Sequence, residues 1–451
     1  MNYALDPAIV DSNIFNSVSK ELRKDSRSVR NRLKSIAQDS AFVCDVADSY
    51  GLPLVANERC GRWYIPPERI DESVYFKSTD GHTGQWGFSQ RRLNIHIIDL
   101  VATRNGVVIV DSTRRGKRMP DALSKTVPIW CAVINRAVFS DTALETKLHT
   151  SPIAVSASEH SQIKAKINFW TEQFINSGVN IKQLKTQLCK PLRPIWITPD
   201  SSLPLSPPEF EEFYAIVLCT ASRMVLDGTE RRQGFTYVQG AADDHEEWAS
   251  ILTPSLFWDN RQILLNSSDD EIEKLILSNQ LVVAGNNLQK SELDLSQITN
   301  NLTIGKHTDL SYVAYAKYDT IIDLSTAHTS LSAEELAKRK IFKLAIPSGK
   351  KGSKQFRNDL ELIQNFYKQA QPSELLIVCD TGNDFSVGAA LAINVLHFTG
   401  SGELKDSQHE VQRIDKEFIR KRLTQIILHR KVNPSRATLQ AVNAFLMGWT
   451  T

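Results

Sequence analysis

Four short apolar runs limit the architecture of this 451-residue chain more than any other feature: Gly-Val-Val-Ile-Val-Asp (106–111), Tyr-Ala-Ile-Val-Leu-Cys (214–219), Thr-Ile-Ile-Asp-Leu (320–324) and Leu-Leu-Ile-Val-Cys-Asp (375–380). A strand that is apolar almost throughout, with no polar alternation, is covered on both faces, as in a parallel sheet flanked by helices. The expectation is an α/β protein. Leu-Pro-Leu-Val-Ala (52–56) and residues 93–100 read as further strand or short helix pieces, and residues 161–177 as a helix with Ile163, Ile167, Trp170 and Phe174 on one side. The chain is about three times a typical domain in length, so it divides into two or three packed units. The polar stretch 284–301 suits an interdomain connection, which predicts an N-terminal mixed α/β region over 1–290 and a second α/β domain over 300–451.

Apolar residues make up 41% of the chain and charged residues 23%, enough to build cores and too balanced for a disordered chain. The net charge of +2 does not by itself advertise nucleic acid, but the cations are clustered. Arg23, Lys24, Arg27, Arg30, Arg32 and Lys34 lie in a basic helical segment over 1–50, and a second set includes Arg420 and Arg430. Each set is either a solvated helix face or an RNA-contacting one. The six cysteines form no CxxC pair, which gives no sign of a zinc or redox motif. Neither a secretory leader nor a membrane-spanning run is expected, and a reduced cytoplasmic setting is the default.

The run ending at Cys379 continues as Asp380, Thr381, Gly382, Asn383, Asp384, Phe385 and Ser386, then a series of small residues. A strand, a loop rich in small polar residues and a helix start together aim backbone N–H groups at one point, which suits a phosphate. This loop resembles the phosphate loop of cysteine-dependent tyrosine and dual-specificity phosphatases. That resemblance implies a C-terminal phosphatase-like α/β domain with a degenerate loop, because Val378 stands in place of the usual histidine and Phe385 in place of the arginine that grips phosphoryl oxygens. A buried strand end packed against a small-residue helix explains the same residues without a ligand.

The run ending at Asp111 continues as Ser112, Thr113, Arg114, Arg115, Gly116, Lys117 and Arg118. An acid at the end of a buried strand can hold Mg²⁺ or ribose hydroxyls, and crowded cations repel one another until anions arrive. Upstream, Lys77, Ser78, Thr79, Asp80, Gly81 and His82 combine a phosphate donor, two hydroxyls and two groups able to take a proton. Asp243 and its neighbours 244–246 form a second acidic candidate for magnesium, or an exposed helix start.

The blocks 57–66, 75–89, 109–131 and 237–249 are long and unusual, and they are similar to the initiator tRNA 2'-O-ribosyl phosphate transferases of fungi and plants. The resemblance extends over nearly the whole chain. It implies transfer of a 5-phosphoribosyl group from phosphoribosyl pyrophosphate to the 2'-hydroxyl of a T-stem adenosine in cytoplasmic initiator tRNA. That mark keeps the tRNA out of elongation. Magnesium is the implied cofactor, and initiator tRNA and phosphoribosyl pyrophosphate are the implied partners, with no membrane and no DNA. On this reading Asp111, with Asp80 or Asp243, holds magnesium or the donor ribose. Lys77 and residues 112–117 bind the donor, and Asp80 or His82 takes the hydroxyl proton. Two other classes remain, a phosphatase working through Cys379 and a noncatalytic RNA-binding protein.

Overall fold

The computed structural model describes residues 25–78, 84–140, 142, 146–249, 252–278, 280–281, 294–307, 317–327, 340–405 and 414–448. The chain divides into two compact units, one of residues 1–88, 97–172 and 181–287 and the other of 89–96, 173–180 and 288–451.

The first unit is built on a wholly parallel sheet of β1 (Leu54–Asn57), β2 (Ile70–Val74), β3 (Gly106–Asp111), β4 (Leu192–Ile197) and β5 (Tyr214–Thr220), in the order β2-β1-β3-β5-β4. Every residue of β3 and β5 is buried, as their unbroken apolar runs predict. The edge strand β4 escaped the sequence reading because Pro194 interrupts it, and an edge is where a sheet tolerates a residue with no N–H to donate. The segment 93–100 becomes a helical turn that leads into α2 (Ile98–Arg104). Two further helices frame the site described below, α3 (Val127–Val138) and α4 (Ala157–Ile175).

The basic segment forms α1 (Val29–Tyr50), capped by the Ser28 hydroxyl. Leu33, Ile36, Val43 and Val46 enter the core, but the helix buries a polar stripe as well: Asn31, Ser35 and Asp39, spaced one turn apart. That stripe serves the hairpin of β6 (Thr229–Arg232) and β7 (Phe235–Val238). Thr236 N donates to Asn31 Oδ1 at 3.2 Å, Val238 N to Ser35 Oγ at 2.9 Å and the Tyr237 hydroxyl to Asp39 at 2.9 Å. A buried sheet edge needs such partners, and here a helix side face provides them. Burial pushes the Asp39 carboxyl well above the usual carboxylate range, against the Tyr237 hydrogen bond.

The second unit is a sheet of β8 (Leu295–Thr299), β9 (Leu302–Lys306), β10 (Thr320–Asp323), β11 (Lys340–Lys343) and β12 (Leu375–Cys379), in the order β11-β10-β12-β9-β8. All neighbours run parallel except β8, which pairs antiparallel with β9. The polar stretch read as a connection therefore ends in an edge strand, whose sparse apolar residues are all that an edge requires. Helices α5 (Gly349–Ala370), α6 (Phe385–His397), α7 (Lys416–His429) and α8 (Arg436–Gly448) pack in this unit, and α6 is buried along most of its length. The capping pattern at Ser332 and Glu335 lies outside the described residues. Among the described residues, no helix is long and apolar enough to cross a membrane.

The hairpin interlock gives a direct stability test. Tyr237→Phe leaves Asp39 without its hydroxyl donor and Arg223 N, which donates to the same hydroxyl at 2.8 Å, without an acceptor. A loss of about 1–3 kcal/mol is expected, read as a melting temperature several degrees lower with unchanged far-ultraviolet circular dichroism. An unchanged melting temperature would show that the Tyr237–Asp39 contact contributes nothing.

Candidate active site

In a parallel sheet, ligands bind beyond the carboxyl ends of the strands, where neighbouring strands send their connections in opposite directions. The order β2-β1-β3-β5-β4 puts that point between β1 and β3. Asn57, Arg59 and Cys60 follow from β1, Asp111 and Ser112 from β3, and Thr220 and Ser222 from β5. Gly61 is needed at this junction, because a Cβ there would collide with the Val110 carbonyl.

Asp111 has 0% exposure. Its Oδ1 accepts from Ser112 N at 2.8 Å and Cys60 Sγ at 3.0 Å, and its Oδ2 from Asn57 Nδ2 at 2.9 Å and Arg59 Nε at 3.3 Å. Arg59 Nη2 lies 3.3 Å from both Asp111 Oδ1 and Asp243 Oδ1, and it donates to the Ser112 carbonyl. One guanidinium thus bridges two buried carboxylates. Burial pushes the Asp243 carboxyl up to about 6, with Arg59 opposing and the Asp111 charge adding. Burial likewise pushes the Cys60 thiol well up, so it acts as a neutral donor. Asp111, with both oxygens enclosed and already holding donors, does not fit the expectation of a magnesium ligand, and the Oδ1 of Asp243 is taken by Arg59. They orient the loop that follows.

That loop, 112–118, is held from beneath. Ser112 Oγ and Ser222 Oγ lie 2.8 Å apart, and Ser222 Oγ donates to the Thr113 carbonyl at 3.0 Å. The Gln239 amide donates to the carbonyls of Thr113, Arg114 and Lys117 at 3.3, 3.1 and 2.8 Å, while its own oxygen accepts from Val225 N at 3.1 Å. Gly240 follows at φ +62°, and a Cβ there would come within 2.7 Å of the Arg114 backbone. The cations project outward onto carboxylates: Arg114 onto Asp244, Arg115 onto Asp227 at 3.2 Å and Lys117 onto Asp121 at 3.3 Å. The two arginine pairs are exposed, and such pairs are weak and exchangeable, whereas Asp121 is buried.

Beside the loop opens a cavity of about 780 Å³, large enough for a nucleotide-sized ligand. Gly116, Lys117 and Arg118 line one part of it, and Asp121, Lys125 and Glu159 another. Lys125 Nζ lies 2.9 Å from Glu159 and 3.3 Å from Asp121, and Trp86 Nε1 donates to Glu159 at 2.8 Å. Lys125 sits in a π-helical turn, Ala122–Thr126, a distortion frequent at functional sites. The same turn holds the upstream loop, because Thr126 Oγ1 donates to the Lys77 carbonyl at 2.8 Å. Trp86, Asp121 and Lys125 lie inside the blocks that carry the family resemblance, yet the sequence reading singled out none of them. Glu159 sits on α4, 38 residues beyond Asp121, and no local spacing connects the two.

The expected residues fare unevenly. Lys77 is exposed, and Ser112 and Thr113 are buried supports. Thr79, Asp80 and His82 lie outside the described residues, as does Arg23. Arg27 and Arg420 are exposed, consistent with either earlier reading. Arg32 donates to the Ala241 carbonyl at 2.9 Å and stacks 5.5 Å over the Trp248 ring, so its side chain is engaged within the unit, while Arg30 is tied there by its backbone N–H, which donates to Asp269 at 2.8 Å. Arg430 corrects the RNA expectation outright. It is buried, paired with Asp294 at 2.6 Å, and donates to the Gly382 carbonyl at 3.2 Å.

Arg430 instead braces the loop after β12. Cys379 Sγ lies 3.1 Å from Ser386 Oγ and 3.7 Å from Thr381 Oγ1. Asp380 accepts from Thr326 N at 2.9 Å, and Asp384 from Ser435 N at 2.9 Å and Thr438 Oγ1 at 2.6 Å. Asn383 N donates to Thr381 Oγ1 at 3.2 Å. Phe385, where a phosphatase has its arginine, is buried against Phe356 with ring centroids 5.2 Å apart.

Comparison with known proteins matches residues 22–282 to the family model described as the Rit1 N-terminal domain and residues 340–446 to that of the Rit1 DUSP-like domain. A curated Saccharomyces cerevisiae protein named tRNA A64-2'-O-ribosylphosphate transferase is 38% identical, over 98% of this chain and 97% of its own. An uncharacterized Schizosaccharomyces pombe protein is 37% identical over 96% and 97%. Among solved structures, the Yvh1 phosphatase domain from Chaetomium thermophilum matches 34% of this chain and 97% of its own, at 17% identity and a TM-score of 0.27. Cydia pomonella PTP-2 phosphatase matches 34% and 89%, at 14% identity and a TM-score of 0.26. With both family models aligned in order and relatives matched from end to end, the chain belongs to the Rit1 family, an N-terminal domain followed by a DUSP-like domain.

Proposed function

We propose that the protein transfers a 5-phosphoribosyl group from phosphoribosyl pyrophosphate to the 2'-hydroxyl of adenosine 64 in the T stem of cytoplasmic initiator tRNA, releasing pyrophosphate. The observation that carries this reading is the cavity flanked by the 112–118 loop, which sets Lys117 and Arg118 against Asp121 and Glu159. The curated relative's name supports the acceptor and the group transferred.

Departure of pyrophosphate from an anomeric carbon builds positive charge on the sugar and negative charge on the leaving group, so fixed charges of both signs serve the reaction. Lys117 and Arg118 bind the phosphates of the donor, and Arg114 and Arg115 join them when an anion draws them from Asp244 and Asp227. Asp121 and Glu159 face the sugar hydroxyls, with Lys125 paired to both carboxylates and holding them in place. Magnesium takes one or two carboxylates together with substrate phosphates and water. Asp121 and Glu159 fit that pattern, and the bound ion would add charge neutralisation at the leaving group. Lys77 and Gly84, on either side of residues 79–83, lie against this wall, and Asp80 or His82 is the proposed acceptor of the 2'-hydroxyl proton. The loop after β12 has no catalytic part, because its carboxylates and Arg430 are occupied in bracing it.

Purified protein incubated with initiator tRNA, radiolabelled phosphoribosyl pyrophosphate and magnesium should place label in the tRNA, and no incorporation would end the proposal. Lys117→Ala and Arg118→Ala are each expected to lower kcat/KM for the donor roughly 10- to 100-fold, about 1.4–2.7 kcal/mol. Cys379→Ser should leave transfer within about twofold, and neither protein should hydrolyse an aryl phosphate. A Cys379-dependent phosphatase activity would restore the alternative reading.

The Asp243 carboxyl adds a pH dependence. Its folded value of about 6 lies above the ordinary 3.8, so the folded state binds the proton more tightly. The resulting stability is complete below about pH 3.8 and is lost as pH rises through 6, on the order of 2–3 kcal/mol. Asp243→Asn should flatten the fall in melting temperature between pH 4 and 6.5. An unaltered slope would assign the dependence to other groups.

A further inference from the structure

A second cavity, of about 800 Å³, opens in the first unit, and among the described residues none lines both it and the cavity beside the 112–118 loop. The transfer reaction proposed above leaves it unused. The start of α1 and the hairpin of β6 and β7 form one side, and the helix Asp269–Leu277 forms the other. Asp269 fastens the two sides together, accepting from Ser28 Oγ at 2.7 Å and from Arg30 N at 2.8 Å. The space between them is therefore held open by fixed walls.

The two walls differ in chemistry. Arg27 and Arg30 come from the α1 side, and Arg27 is exposed. Arg30 Nε is buried with no acceptor among the described residues, and so is Trp248 Nε1, a costly state for a donor. Burial, and then the Arg30 charge, push the Lys34 ammonium below its ordinary value with no carboxylate opposing, so at Lys34 that charge is felt uncancelled. Phe235 and Trp248 add two aromatic rings, with Lys34 Nζ 5.9 Å over the first and Arg32 Cζ 5.5 Å over the second. The helix side contributes the exposed acids Asp270 and Glu273.

These groups match the parts of one ligand class. Guanidiniums bind a phosphate, aromatic rings stack a base, and carboxylates accept from ribose hydroxyls and exocyclic amino groups. A protein partner would need a contiguous apolar patch to press against. Among the described lining residues, Leu277, 74% exposed, is the large apolar side chain that stands in solvent, and one side chain makes no patch.

We propose that this cavity binds a nucleoside phosphate whose base is unstacked, either a free nucleotide or an unpaired nucleotide of an RNA. Arg27 and Arg30 hold the phosphate, Phe235 and Trp248 the base, and Asp270 and Glu273 the hydroxyl or amino hydrogens. The site does not depend on the transfer reaction, because it uses none of the residues assigned to that reaction.

The test titrates the full-length protein calorimetrically with nucleoside 5'-monophosphates and with an unstructured RNA tetranucleotide, over a series of salt concentrations. Tighter binding of the tetranucleotide assigns the site to RNA, and equal or tighter binding of a monophosphate assigns it to free nucleotides. Arg27→Ala combined with Arg30→Ala should weaken binding roughly tenfold and flatten the salt slope by about one. Phe235→Leu should weaken it roughly fivefold at an unchanged slope, a separation that a folding defect would not produce. A tetranucleotide carrying 5-iodouridine should cross-link on irradiation to a peptide that contains Phe235 or Trp248. Failure of both probes to bind would overturn the proposal, as would full-strength binding by both variants or cross-links only outside this lining. No transfer of label is read, so failure of the transferase reading would leave these outcomes unchanged.

Discussion

The bridge that Arg59 makes between Asp111 and Asp243 is the interaction on which the site depends. Two buried carboxylates are costly, and the shared guanidinium offsets that cost together with Asn57, Cys60 and Ser112 N, which donate to the oxygens of Asp111. Burial is what leaves Asp243 easily protonated, with Arg59 opposing it and the Asp111 charge adding to it. Arg59 reaches the Ser112 carbonyl as well, so the same side chain that neutralises the acids fixes the first residue of the cation loop. Removing one partner of such a cluster typically costs about 3–5 kcal/mol, and here the loss would fall on the backbone that presents Arg114, Arg115 and Lys117.

What could be read from the sequence follows from how local each feature is. The strands β3, β5, β10 and β12 were legible because burial on both faces writes an unbroken apolar run. The edge strands β4 and β8 were not, since edges tolerate Pro194 and a mostly polar composition. The cation loop was legible as a crowd of like charges after a strand. Its support was not: Gln239 and Ser222 act from more than 100 residues away, and nothing in their neighbourhoods announces it. Arg59 went unnoticed inside a quoted block for the same reason, because its role exists only once β1 and β3 are adjacent. Conversely, Asp111 looked like a metal ligand because an acid at a strand end usually faces ligand, and only its four donors show otherwise.

In the loop after β12, the polar groups are engaged in holding the second unit together. The thiol still faces the Ser386 hydroxyl. Yet Asp384 caps the entry to α8, Asp380 ties down Thr326, and Phe385 packs where a phosphoryl-gripping cation would reach. Two carboxylates facing the loop's own supports disfavour a bound anion. The loop has become a junction that fastens β10, β12 and α8 together.

The pairing of Arg114, Arg115 and Lys117 with Asp244, Asp227 and Asp121 has a consequence for selectivity. Like charges that would otherwise repel are neutralised by these partners, which leaves little net attraction for a stray anion. Each arginine is released only when an incoming group competes better than the aspartate it replaces. A lone phosphate can outbid one such partner, while a ligand carrying several phosphoryl charges on a single frame can outbid all three at once. On the proposed reading the site would act as a valence threshold, answering to the number of charges a molecule brings together more than to how much of that molecule is present.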